Sequence, residues 1–181
     1  MRASARRFLR DTKGVIAIEF AVFAVVFIIL MGAIVDFGGL AFTRFRMENA
    51  VSAASNYALV NGESINATGA ATLAAAIGSI IASADSGISG KVVVNNGPEA
   101  TISGGNATVA GSASPAASCY CPSNNGSSIN WGGAVTCDEP CPSGGLAGKF
   151  VTIDVKRTYT PLFLFLDEAR EIAVSATVQA K

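Results

Sequence analysis

The chain has 181 residues, 50% hydrophobic and 14% charged, with 13 cations against 13 acids and no histidine. A net charge of zero gives no electrostatic basis for nucleic-acid binding. The lack of imidazole removes Ser-His and Cys-His nucleophile activation and the commonest metal ligand, and the later carboxylates (Glu63, Asp85, Glu99, Asp167, Glu168) are scattered, so the expectation is no enzyme, no metal and no cofactor.

Residues 1–14 form a basic leader, with Arg2, Arg6, Arg7, Arg10 and Lys13 against the single acid Asp11, ending at Gly14. An apolar stretch follows from Val15 to Val35, and at 1.5 Å per residue it makes about 31 Å of helix, enough to cross a bilayer core. The positive-inside bias then keeps the leader in the cytoplasm, in contact with membrane lipids, and sends everything after Val35 outward. Arg6-Arg7 resembles a twin-arginine signal, but the apolar stretch exceeds the roughly 7 to 15 residues of a cleaved signal. Glu19 is the exception within this segment. An ionisable group in hydrocarbon costs on the order of a few kcal/mol; it can snorkel from a shallow position, but it more often marks a partner.

Beyond Asp36 and the Gly38-Gly39 pair, the residues Met47, Ala50, Val51, Ala54 and Ala58 recur at three- and four-residue steps, which predicts one helix over residues 15–61 with a single apolar stripe, or two helices hinged at the glycines. The remaining 120 residues, 62–181, suffice for one exported head. In it, Leu73, Ala76, Ile77, Ile80, Ile81 and Ala84 predict a second amphipathic helix over Ala67 to Ala84. Strands are expected at Lys91–Val94, on both sides of Gly104-Gly105, at Val151–Lys156 and at Ile172–Val178, where apolar and polar residues alternate. The fold class is therefore α+β, with a long helix covering one face of a small antiparallel sheet. The apolar residues Leu162 to Leu166 are expected to be a buried strand or turn-packing cluster, or else an exposed partner patch, and Asp167-Glu168 to cap the turn before the last strand.

Residues 111–148 are rich in Gly, Ser, Pro and Asn and hold all four cysteines, Cys119, Cys121, Cys137 and Cys141. A loop of that composition builds no core of its own, and in an oxidising exterior two disulfides would restrain it. Closing a ring between Cys119 and Cys121 is strained, so bonds between the two clusters are favoured, with both such pairings open. A zinc knuckle competes, but the usual C-x2-C spacing is absent.

The basic start with Gly14, the Ala17-Ile18-Glu19-Phe20-Ala21 block, Gly32, Asp36-Phe37-Gly38, the cysteine cluster, the strand from Phe150 to Val155 and Tyr159-Thr160-Pro161-Leu162-Phe163 together resemble the TadE family. The leader also resembles the prepilin-peptidase site of Flp/Tad-type pilins, with Glu-Phe where Glu-Tyr is common. The resemblance implies a type IV pilin-like fold and cleavage after Gly14, which makes Val15 the new N-terminus and Glu19 its fifth residue. It implies that Glu19 and Phe20 set assembly and register, and that the protein is a pseudopilin, or minor pilin, of Tad/Flp pilus biogenesis. Its partners would be the prepilin peptidase, pilin and other pseudopilins, met as a homo- or hetero-oligomer through the N-terminal helix. It would reside in the bacterial inner membrane with a periplasmic head, and after assembly in a surface pilus. The alternative is an uncleaved signal anchor whose exported head binds an adhesion target or a secretion partner.

Overall fold

The structure, a computed structural model, describes residues 13–124, 129–163 and 169–180. Four of the five leader cations, and the expectations for Leu164 to Glu168, lie outside the described residues. The chain divides into two compact units. One takes the first helix up to Ala41 with the segment that begins at Thr160; the other runs from Phe42 to Tyr159 and resumes at Ala169.

Helix α1 spans Lys13–Val60, 48 residues, with no break at Gly38-Gly39. Its sequence explains two different surfaces. Up to Val35 almost every side chain is apolar, so no face is distinguished, and Ile16 to Val35 stay largely exposed. From Phe42 onward the outside is mixed, with Arg44 and Glu48 paired at 2.8 Å beside the exposed Phe42 and Phe45, while Thr43, Met47, Ala50, Val51, Ala54 and Ala58 are buried along the stripe that helical periodicity predicts. The helix stops where Asn61 bonds back through its side-chain amide to the Tyr57 carbonyl at 2.9 Å.

Helix α2 spans Ala70–Ala84, three residues shorter than expected at its start. The side chain of Asn66 accepts hydrogen bonds from the Thr68 and Gly69 amides at 3.0 and 2.8 Å, holding Ala67 to Gly69 in a turn. The buried face is also rotated from the one expected. Leu73, Ala74, Ile77, Gly78, Ile81 and Ala82 point inward, while Ala76 and Ile80 are half-exposed and Ala84 is exposed. Small residues explain the rotation, because a Cβ added to Gly78 would stand 2.9 Å from that of Ala107 and 3.1 Å from that of Ala100. Close backbone approach, not side-chain bulk, selects the face.

The sheet contains β1 (Ser89–Val94), β2 (Glu99–Ser103), β3 (Asn106–Ala110), β6 (Phe150–Tyr159) and β7 (Arg170–Gln179), all antiparallel, in the order β3-β2-β1-β6-β7. A separate two-stranded ladder joins β4 (Ser123–Asn124) to β5 (Ile129–Asn130). The β1–β2 turn places Asn95 and Asn96 at φ 51° and 56°, and the β2–β3 turn places Gly104 and Gly105 at 58° and 76°, the left-handed pairs that tight hairpins require. Registry lines up Val109, Ala100, Val92, Ile153 and Ala176 across the five strands. Helix α2 lies against β1 to β3. The buried stripe of α1 and the inner side chains Val151, Ile153 and Val155 of β6 make up the rest of this core. Thr152 departs from simple alternation: although on the opposite face, it is buried between its neighbours Val93 and Thr177. The result is the α+β, pilin-like architecture expected from the sequence.

Candidate functional site

The first turn of α1 holds Gly14 and Val15, and the next holds Glu19 and Phe20. Glu19 is exposed, and among the described residues it has neither an ion pair nor a hydrogen bond. Phe20 is 74% exposed, and the exposure of large apolar side chains continues from Phe23 through Ile28 to Val35. This helix is long and apolar enough to cross a membrane, its most apolar 18-residue stretch having a mean hydropathy of 2.8. A helix apolar all round is stable when lipid or other helices cover it. A carboxylate on that surface is suited to pairing with a cation brought by another chain, since none is placed beside it among the described residues.

The cysteines come together in the loop that follows β3. Cys119 bonds to Cys137 and Cys121 to Cys141, so both bonds join the two clusters and no thiolate remains for zinc. Main-chain pairing reinforces them: Tyr120 and Gly148 exchange hydrogen bonds at 2.9 and 3.1 Å, and the Val135 amide donates to the Cys119 carbonyl at 2.9 Å. Tyr120 also meets the edge of Trp131, with ring centres 5.9 Å apart. The loop is tied to the sheet by Asn95, which is fully buried in the β1–β2 turn. Its amide nitrogen donates to the carbonyls of Ala116 and Ser118 at 3.0 and 2.6 Å, and its side-chain oxygen accepts from the Phe150 amide at 3.2 Å. Nothing in the sequence distinguishes this Asn from an ordinary turn residue. Opening a bond that closes a loop of this length lowers stability by about 3 kcal/mol. Cys119→Ser, which frees Cys137, is therefore expected to lower the unfolding temperature; an unchanged melt under the same conditions would contradict the structural role of the bond.

The outer sheet face carries an open groove of about 630 Å³ lined by Lys91, Glu99, Thr101, Asp154, Lys156 and Ser175. Its charges of both signs include the Lys91–Glu99 pair at 3.6 Å, and the neighbouring Lys156 pairs with Glu171 at 3.0 Å. Exposed pairs of this kind contribute about 0 to 1 kcal/mol and describe a solvated face.

In the unit that holds α1 up to Ala41, Asp36 has a role that sequence reading missed. It is only 5% exposed, and its two carboxylate oxygens accept the backbone amides of Leu162 and Phe163 at 2.8 and 3.0 Å. One turn earlier, Gly32 is buried under the Phe163 ring, and a Cβ built there would lie 3.0 Å from the ring, which would have to shift to admit it. Leu162 corrects the expectation of a buried cluster, being 77% exposed, while Phe163 is 38% exposed and packs on the helix. An acid and a glycine one turn apart at the end of an apolar segment were the visible signal; a partner 126 residues away was not.

Residues 14–56 match a family model described as TadE-like protein. The matched segment contains Gly14, Val15, Glu19, Phe20, Gly32 and Asp36 and ends before α2, the sheet and the cysteine loop. No curated protein and no solved structure matches the chain.

Proposed function

We propose that the protein is a minor pilin, or pseudopilin, of Tad/Flp-type pilus assembly, and that the exposed first half of α1 is its assembly surface. The observation that carries this reading is a single carboxylate, Glu19, with no partner among the described residues, on the otherwise apolar and exposed first half of α1, inside the segment that matches TadE-like proteins. Cleavage after Gly14 by a prepilin peptidase would remove the leader's five fixed cations and leave a free amine on Val15. The amine of a neighbouring subunit, staggered by one helical turn, can then meet Glu19, since four residues rise about 6 Å. Such a pair, desolvated among packed helices, sets the axial register even where its net stabilisation is small. The two-disulfide head stays outside the membrane as the exposed surface of the assembled subunit, and the role is structural, not enzymatic.

Photo-cross-linking in cells tests the assembly surface. A photoreactive residue in place of Phe23, which is 73% exposed and one turn beyond Glu19, is expected to capture another pilin-class subunit through its N-terminal helix. Adducts with lipid alone would show a solitary anchor and contradict the proposal.

A further inference from the structure

The segment Pro161-Leu162-Phe163 does not belong with the strands on either side of it. It belongs to the same compact unit as the membrane-length part of α1, whereas Tyr159 and Arg170, the ends of β6 and β7, belong to the other unit. Within its unit, Phe163 lies on Gly32, a position four residues inside the apolar stretch that Asp36 closes. That places the ring about one helical turn, roughly 6 Å, on the hydrocarbon side of Asp36.

Irregular backbone at membrane depth is tolerated only where its polar groups find partners within the protein. This segment meets that condition for every amide it has. Pro161 carries no N–H, the Leu162 amide is accepted by one oxygen of Asp36, and the Phe163 amide is accepted by the other. With its N–H donors satisfied, the segment exposes a large apolar side chain, Leu162 at 77%, as the helix of the same unit exposes Ile28 at 62% and Ile34 at 65%.

We infer that Pro161-Leu162-Phe163 is a second membrane contact, in which Leu162 and Phe163 enter the outer leaflet beside α1 and Asp36 is the clasp that satisfies their amides there. The partner is the acyl-chain region of the bilayer, in continuity with the lipid-facing surface of the helix. Asp36 is thus a positioning residue, and Gly32 is the gap that admits the Phe163 ring. The inference rests on the reading of α1 as a membrane span.

The test uses full-length protein in vesicles of phosphatidylcholine with or without bromine on the acyl chains. Trp131, the only tryptophan, is first replaced by Phe, and a reporter is introduced by Leu162→Trp or, separately, by Phe23→Trp. Both reporters are expected to lose most of their emission in brominated lipid and to resist aqueous acrylamide. Adding Asp36→Ala, or Gly32→Leu, to the Leu162→Trp protein is expected to restore that emission and to expose the reporter to acrylamide, while Phe23→Trp stays quenched by bromine in either background. If Phe23→Trp is quenched and Leu162→Trp is not, the second contact is wrong and the span stands; this holds whether acrylamide reaches residue 162 or another protein covers it. If neither reporter is quenched, the span itself is wrong. Bromine quenching at residue 162 that survives both Asp36→Ala and Gly32→Leu would remove Asp36 and Gly32 from the mechanism. Retained pairing of the four cysteines and unchanged sheet circular dichroism show that each variant still folds.

Discussion

Glu19→Ala is expected to abolish capture of a neighbouring subunit from position 23, and with it piliation, while leaving membrane insertion intact. The two outcomes separate because they draw on opposite physics. Removing a carboxylate from an apolar helix makes insertion easier by a few kcal/mol, so less protein in the membrane is not the expected cause of lost assembly. Assembly loses the only acid between Val15 and Val35, and with it the one group that can discriminate between axial staggers of otherwise uniform apolar helices. Glu19→Gln keeps the shape and hydrogen-bonding capacity but not the charge, and is expected to assemble poorly if a neighbour's amine is the partner. Normal piliation in Glu19→Ala would withdraw the proposed role.

Val151→Asp is expected to unfold the sheet unit. Val151 is fully buried in β6, between Val94 of β1 and Val178 of β7. Burying an unpaired carboxylate carries an effective penalty of several kcal/mol, comparable with the roughly 5 to 15 kcal/mol that holds a domain together. Val151→Ala, which loses only packing, is expected to lower the melting temperature while keeping a cooperative transition. A Val151→Asp protein that melts like the parent, followed by circular dichroism in detergent, would contradict the assignment of this strand to the core.

The periodic parts of the fold were legible and the contacts between distant segments were not. Met47 to Ala58 and Val151 to Val155 announce themselves because burial repeats with the period of the backbone, and Gly104-Gly105 marks a hairpin because few residues adopt two successive positive φ values. The inner face of α2 differs from the one that side-chain bulk predicts, because Gly78 against Ala100 and Ala107 lets the helix approach through its smallest residues. The cysteine clusters implied bonds between them, but only the fold distinguishes Cys119–Cys137 with Cys121–Cys141 from the other arrangement. Asp36 and Asn95 escaped for a shared reason: each uses a short polar side chain to satisfy backbone groups far away in sequence, and such pairings leave no periodic trace. Glu19 was the reverse, conspicuous in sequence and without a partner among the described residues.

The central claim is that α1 is a processed assembly helix and not a permanent anchor. The most direct measurement is the intact mass of the protein extracted from membranes, under non-reducing conditions, from cells with and without the prepilin peptidase. Loss of Met1 through Gly14 only where the peptidase is present is the result the proposal predicts, with Val15 as the new terminus. A full-length mass in both would contradict it and leave an anchored head whose leader is never removed.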